Sequence, residues 1–369
     1  MIRFLHCADL HLDSPFSGLG AIGSEARREE QRELFRALIC LAKNRRSDFV
    51  LIAGDLFDSG YTTSSTVKFV SDMLATLDCP VIISPGNHDP YTEGGPYAGS
   101  LPENVKIFTS EKLSSFYFAA NNVCIHGYAF TSERHEEHPL AEGISLDPTK
   151  INLLCAHTEL DVPLSPYAPI DKKQLAGSGF DYAALGHVHN APPMETLGKT
   201  LTAYSGCPEG RSFDELDFGS VIEVTIDGNK ITSEKIQIAK RRYMVETIDI
   251  TGVEKDGDVI DRIRQRIAVK NYKQETALRV ILSGALSPEY TPSLRFIAGE
   301  IEGLYFLEIK DNTTPILDFS ELERDMSIRG EYYRELVSKM HTMSEEERRV
   351  AAEALRIGLC ALSGKPIVF

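Results

Sequence analysis

The sequence holds 369 residues, 42% hydrophobic and 25% charged, a composition typical of globular proteins and a length that predicts two or three domains. No apolar run reaches the roughly 18 residues of a membrane span, and Arg3, His6 and Asp9 stand where a signal peptide would be apolar, so a cytoplasmic protein is expected. The net charge of −15 speaks against a nucleic-acid partner only until it is divided: residues 1–238 carry 32 acidic and 19 basic side chains, 239–314 carry 12 of each, and 315–369 carry 10 and 8.

In chain order, Ile2 to Ala8 reads as a short strand ending in Asp9-Leu-His11. Residues two apart in extended backbone point to one side, so Asp9 and His11 can converge on one cation. Ser24 is the expected cap of a charged helix burying Leu34, Phe35, Leu38, Ile39 and Leu41 and ending near Arg45-Arg46. The run Phe49-Val-Leu-Ile-Ala-Gly-Asp-Leu-Phe-Asp58 has the pattern of a strand buried on both faces that delivers Asp55 to a sheet edge. Thr62 to Leu77 carries an apolar helical stripe at 67, 70, 74 and 77. Pro80 to Ser84 predicts a third strand, with Gly86-Asn-His-Asp89 in its terminal loop.

Val123–Gly127 and Ile151–Ala156 predict further strands, the second delivering His157, and Asp181 to Leu185 leads into Gly186-His-Val-His189. Thr200–Ser205, Ser220–Ile226 and Lys230–Ile238 suit closing antiparallel strands, with Asp227-Gly228 as a hairpin turn. His126, His135, His138 and His341 have no such company and are not read as ligands. The seven cysteines form no C-x-x-C pair, which argues against a disulfide framework or a zinc knuckle, and read as small buried residues.

Taken singly, each of these fragments has an ordinary explanation: a chance Asp-x-His, a turn built of Gly, Asn and Asp. Together they place Asp, Asn or His at five strand ends in about 180 residues, and in a layered sheet such ends gather on one edge. Imidazole with carboxylate and amide oxygen, and no thiolate, suits manganese first and iron second. Asp55, with two oxygens, is the expected bridge between two ions.

The set Asp9/His11, Gly54-Asp55, Gly86-Asn-His-Asp89, His157 and Gly186-His-Val-His189 resembles that of the calcineurin-like metallophosphoesterases. Gly54-Asp-Leu-Phe-Asp58 is similar to the DNA-repair nuclease branch, the SbcD-type and YhaO-like bacterial exonucleases, whereas Phe57, Ser59 and Asp89 depart from the Ser/Thr phosphatase pattern. The resemblance covers residues 1 to about 238. It implies an α/β fold, a layered metallophosphoesterase β-sandwich flanked by helices, with a small α+β capping domain and a C-terminal helical tail. It further implies two divalent ions, one held by Asp9, His11, Asp55 and His189 and the other by Asp55, Asn87, His157 and His187. His88, not a ligand in that scheme, then either protonates the leaving sugar oxygen or holds the phosphate in the transition state. The expected activity is DNA phosphodiester cleavage by an exonuclease; nucleotides or small phosphoesters are the alternative substrates, and a non-catalytic scaffold the more distant one.

Residues 239–314 read as the α+β cap: a strand over Tyr243–Ile250, a helix with Arg262, Arg264, Arg266 and Lys270 among Ile260, Ile263 and Ile267, and strands Thr276–Ser283 and Leu304–Lys310 around a helical Ser293–Glu302. The arginines suit a solvated helix face as well as DNA. Residues 315–369 form a tail, helical from Asp318 to Leu362. Ser344-Glu-Glu-Glu347 is a capping box there, opening a stripe of Val350, Ala354, Leu355, Leu359 and Leu362. That stripe either packs on its own protein or, as the nuclease resemblance implies, docks a coiled-coil SbcC-type ATPase. A homodimer is a further assembly the resemblance admits, and no membrane contact is expected.

Overall fold

The computed structural model describes residues 1–369 apart from 17–19, 59, 100, 142–144, 288, 317–318 and 363–369. Ser59 and Asp318, named above, therefore lie outside the described residues. The chain divides into two compact units, Met1–Tyr243 and Met244–Phe369.

The first unit runs β1 (Ile2–Cys7), α1 (Gly20–Arg45), β2 (Phe49–Ile52), α2 (Ser64–Leu74), β3 (Val81–Ile83), β4 (Val105–Ile107), β5 (Ser114–Phe118), β6 (Val123–Gly127), β7 (Ile151–His157), α3 (Lys172–Ser178), β8 (Tyr182–Gly186), β9 (Glu195–Leu197), β10 (Thr200–Tyr204), β11 (Ser220–Asp227) and β12 (Lys230–Gln237). Two six-stranded sheets result, ordered β12-β11-β1-β2-β3-β4 and β5-β6-β7-β8-β10-β9. Strand alternation explains the layering. Phe4 of β1, and Ala8 just beyond it, face the second sheet in a core with Phe49, Leu51, Ile125, Leu153 and Tyr182. Leu5 and Cys7 face the other way, under Phe35, Leu38 and Ile39 of α1 and Val70 and Leu74 of α2. The outer face of the second sheet packs Leu154, Ala183 and Leu185 against Leu175 of α3. The unit is thus a β-sandwich between helices, as the sequence predicts.

Two features differ from expectation. Helix α1 opens at Gly20, not at Ser24; the Ser24 hydroxyl is buried and donates to the Phe16 carbonyl at 2.9 Å from within the first turns. Among the cysteines, Cys40 is exposed and Cys79 half-buried, while the other five are buried.

His6 is a polar exception inside the sandwich. Its ring is fully buried, with Nδ1 2.9 Å from the Tyr182 hydroxyl and Nε2 3.1 Å from the Leu185 carbonyl. The carbonyl can only accept, so Nε2 carries the proton and Nδ1 accepts from Tyr182. Burial pulls its pKa from 6.5 to about 3, against a smaller upward pull from the Leu185 bond. The folded value lies below the unfolded one, so its contribution to stability is complete above pH 6.5 and is lost as pH falls from 6.5 toward 3, by an amount on the order of several kcal/mol. Chemical denaturation at about pH 7 and about pH 4.5, either side of the unfolded value, should show that loss in the wild type and a smaller one in His6→Gln; equal losses would contradict it.

The second unit runs β13 (Arg242–Asp249, which crosses the boundary), α4 (Asp256–Lys270), β14 (Thr276–Ser283), β15 (Ala285–Leu286), α5 (Leu294–Gly299), β16 (Phe306–Asp311), β17 (Thr314–Pro315), α6 (Phe319–Arg324), α7 (Ile328–Met340) and α8 (Glu345–Leu362). Strands β13-β14-β16 form one sheet, β15 and β17 pair separately, and Val259, Ile260 and Ile263 of α4 pack with Leu278 and Val280 of β14. Arg262 and Arg264 donate to the carbonyls of Asp249 and Glu300, and Arg266 pairs with Glu246 at 2.8 Å. The capping box opens α8: Ser344 N–H donates to Glu347 at 2.8 Å and Glu347 N–H to Ser344 Oγ at 3.3 Å. The α8 stripe divides: Leu355 and Leu359 pack with Leu322 and Tyr333 of α6 and α7, while Val350 is 68% exposed.

Candidate metal centre

Beyond the parallel pairing of β1 with β2, their two continuations stay bonded: Asp9 N–H donates to the Gly54 carbonyl at 3.0 Å, His11 N–H to Asp55 at 2.9 Å and Leu12 N–H to Leu56 at 3.0 Å. Asp9, His11 and Asp55 are thereby laid side by side. The cost falls on backbone conformation: Asp9, His11 and Asp55 have φ of 54°, 45° and 52°, and His187 has 102°. This left-handed region is uncommon without glycine, and such strain collects at functional sites. Two glycines answer to close approach. A Cβ on Gly54, itself at φ 91°, would lie 2.2 Å from His157 Nδ1, and one on Gly86 would lie 2.2 Å from Asp55 Oδ1.

Donor atoms of Asp9, His11, Asp55 and His189 all lie within 4.8 Å of one another. His11 Nε2 is 3.2 Å from His189 Nε2 and 3.6 Å from Asp55 Oδ2. On the other side, the same Asp55 Oδ2 is 3.4 Å from His157 Nε2, which is 2.9 Å from Asn87 Oδ1. The His187 ring stands edge-on to His157 with centroids 5.2 Å apart, and its backbone N–H donates to Asp9 Oδ1 at 3.1 Å. All seven ligands expected from the sequence are thus gathered. His88 sits at the rim, its N–H donating to Asp55 Oδ1 at 2.9 Å and its Nδ1 3.4 Å from Asp58 Oδ1. His11, Asp58 and His88 form a second group whose atoms converge within 4.8 Å.

The outer partners set tautomers. His157 Nδ1 donates to the Ala53 carbonyl at 3.0 Å and His189 Nδ1 to Glu215 Oε1 at 2.8 Å, which leaves both Nε2 lone pairs aimed inward. His11 Nδ1 is buried with no hydrogen-bond partner among the described residues, so its tautomer has no such anchor. The inward Nε2 atoms of His157 and His189 thus face Asn87 Oδ1 at 2.9 Å and His11 Nε2 at 3.2 Å. A cation satisfies that arrangement, and the donor set, nitrogen and oxygen without thiolate, fits a pair of divalent ions.

Without cations the site is electrostatically awkward. Burial raises the Asp9 pKa to about 6, against His157 and His189 and reinforced by Asp55. Burial would raise Asp55 too, but His157 and then His11 and His88 outweigh it and hold Asp55 below the carboxylate range. His157 is pushed up to about 9, its burial overcome by Asp55 and Asp9. His187 falls to about 3 through burial and the His157 charge, and burial takes His11 well below its ordinary value. For His88 the Asp58 hydrogen bond raises the pKa.

The supporting residues are largely ones that sequence patterning does not single out. Asp89 is buried and accepts from the backbone N–H groups of Gly86 (2.7 Å), Asp55 (3.1 Å), Leu56 (2.7 Å) and Phe57 (3.1 Å), and from the Tyr97 hydroxyl at 2.5 Å. It ties the Asp55 turn to the Asn87 turn. Glu215 and Arg211 come from the segment between β10 and β11, and Tyr167 lies against the His187 ring at 4.5 Å between centroids. None of these three ends a predicted strand, so no periodic signal marks them.

A profile of the calcineurin-like phosphoesterase family matches residues 2–191, slightly more than half of the chain. The chain belongs to that family. This phosphoesterase is similar to the uncharacterized metallophosphoesterase YhaO of Bacillus subtilis, with 27% identity over 302 residues, 78% of this chain and 73% of that one. It is similar to the DNA double-strand break repair protein Mre11 of Aeropyrum pernix, with 28% identity over 270 residues, 68% of this chain and 64% of that one. The SbcD component of the SbcCD nuclease of Staphylococcus epidermidis shares 24% identity over 305 residues, 73% of this chain and 76% of that one. Among solved structures, a dimetal phosphatase from Danio rerio aligns with 64% of this chain and 96% of its own at 10% identity, with a TM-score of 0.41. Among the described residues, no helix of this phosphoesterase is long and apolar enough to cross a membrane.

Proposed function

We propose that this chain is a two-metal phosphodiesterase that cleaves DNA, working as an exonuclease. The observation that carries the reading is Asp55 Oδ2, which faces His11 Nε2 at 3.6 Å on one side and His157 Nε2 at 3.4 Å on the other. In this reading Asp9, His11, Asp55 and His189 hold one ion and Asp55, Asn87, His157 and His187 the other, with manganese the first choice and iron(II) the second. Such a pair, when bound, polarises the phosphate and lowers the pKa of an attacking water.

The chain's own residues do the rest. His88, at the rim and with its proton favoured by Asp58, donates to the leaving sugar oxygen. Asp89 keeps the Asp55 and Asn87 turns in register through its four backbone bonds. DNA is favoured over nucleotides or other small phosphoesters by the repair and nuclease names of the relatives from Aeropyrum pernix and Staphylococcus epidermidis. Residues 1–238 would be the catalytic domain, 239–314 the α+β capping domain, and 315–369 a tail that docks a coiled-coil SbcC-type ATPase.

Purified protein with manganese, given end-labelled duplex and single-stranded DNA beside a chromogenic aryl phosphodiester, tests the reading. Release of terminal nucleotides is expected. Hydrolysis of the small diester with both DNAs left intact would favour the small-substrate alternative, and no hydrolysis at all would remove the enzyme.

The tail carries its own expectation. Because Leu355 and Leu359 are core residues, charge there would unfold α8, whereas Val350 is exposed and can change without loss of packing. Val350→Glu should weaken capture of a co-expressed SbcC-type ATPase at least about tenfold, the worth of one buried apolar anchor, and leave small-diester cleavage intact. Undiminished capture would place the docking surface elsewhere.

A further inference from the structure

We propose that Arg211 contacts the substrate phosphate: the guanidinium edge that Glu215 does not hold donates to a non-bridging phosphate oxygen, between His189 and His88. This rests on the phosphodiesterase reading above.

Arg211 is built into the site. Its Nε lies 3.2 Å from both Glu215 oxygens, its Nη2 2.5 Å from Oε1, and its own backbone N–H donates to Oε2 at 2.8 Å. His189 Nδ1 reaches the same Oε1 at 2.8 Å. Nη2 and His189 Nδ1 are 3.2 Å apart, but both are donors to one oxygen, so their proximity is a shared acceptor and not a bond between them. One buried carboxylate therefore fixes a metal-site histidine and an arginine in a single geometry.

The remaining edge is differently placed. Nη1 is 3.4 Å from Ser14 Oγ, long for a hydrogen bond, and that hydroxyl is already committed to the His11 carbonyl at 2.8 Å. The side chain is 18% exposed. The same Ser14 Oγ lies 3.4 Å from Asp58 Oδ2, and Asp58 Oδ1 lies 3.4 Å from His88 Nδ1, which puts the edge on the His88 side of the site.

Chemistry then selects the ligand. The planar fork of arginine matches phosphate oxygens, and a guanidinium already held by Glu215 loses little freedom when an anion arrives. The surrounding domain carries an excess of acids, 32 against 19 bases over residues 1–238, so a fixed cation at the rim is where a phosphodiester anion gains most.

The test compares the manganese-loaded wild type with Arg211→Ala and Arg211→Lys, reading bound ions by elemental analysis, inorganic phosphate affinity by calorimetry, and kcat and KM for an aryl phosphodiester. A hydrogen bond between charged groups is worth about 10- to 100-fold, so Arg211→Ala should keep its ions and lose about that factor in phosphate affinity and in kcat/KM. Arg211→Lys should recover part of the phosphate affinity, and added guanidinium part of the Arg211→Ala rate. Unchanged phosphate affinity, or a loss of ions in step with the loss of rate in both variants, would overturn the proposal, the second by making Arg211 only a brace for His189. Should the wild type hydrolyse no phosphodiester while Arg211→Ala still loses phosphate, the anion contact stands and the enzymatic reading falls.

Discussion

Asp55→Asn is expected to reduce manganese-dependent hydrolysis of an aryl phosphodiester by about 10³-fold or more, because a bridging carboxylate removed from a two-metal site forfeits several kcal/mol of transition-state charge stabilisation. Asp55 is 1% exposed and its Oδ2 faces both imidazole groups. Asparagine keeps the shape but removes the charge, and places either a neutral oxygen or an NH2 where two lone-pair nitrogens converge. The backbone should survive, since Asp89 holds the N–H groups of residues 55 to 57 irrespective of the side chain between them. A steady-state assay decides: a rate within about tenfold of wild type would mean that Asp55 is not the bridge.

For His88→Ala the expected loss is about 10²–10⁴ in kcat, the range for a positioned acid, with metal content unchanged. The reasoning is positional. The His88 side chain is 45% exposed, its ring nitrogen faces Asp58, and its link to Asp55 is made through the backbone N–H, which alanine retains. The competing outcome is concrete, since His11, Asp58 and His88 are close enough to hold a cation of their own. If the variant loses an ion along with its rate, His88 is a ligand and another group serves the leaving oxygen.

Why so much of the centre could be anticipated follows from where its residues sit. Asp9 and Asp55 follow β1 and β2 of one sheet, and His157 and His187 end or follow β7 and β8 of the other; parallel neighbours within a sheet end along one edge, so order in the sequence becomes proximity in space within each pair. Asn87 and His88 come on the loop after β3 for the same reason. The sandwich faces were legible too, because Phe4 and Leu5 alternate.

What patterning could not reach lies in loops. Arg211, Glu215, Tyr97 and Tyr167 arrive by tertiary folding, and nothing in their neighbours' periodicity distinguishes them from solvent-facing residues. Helix α1 begins before Ser24 because local cap chemistry yields to a buried bond from its hydroxyl to the Phe16 carbonyl. In α8 a single amphipathic stripe covered two fates: Leu355 and Leu359 meet α6 and α7, while Val350, nearer the helix start, meets solvent. An apolar stripe states that a face is to be covered, but not by what.

One carboxylate, Asp55, joins two ion sites in this reading, and counting ions tests it most directly. Metal-free wild type and Asp55→Asn, each loaded with manganese, freed of unbound ion by gel filtration and measured by elemental analysis, should give two ions per chain for the wild type and fewer than one for the variant. Two tightly held ions in Asp55→Asn, or a single ion in the wild type at saturating manganese, would contradict the bridging role.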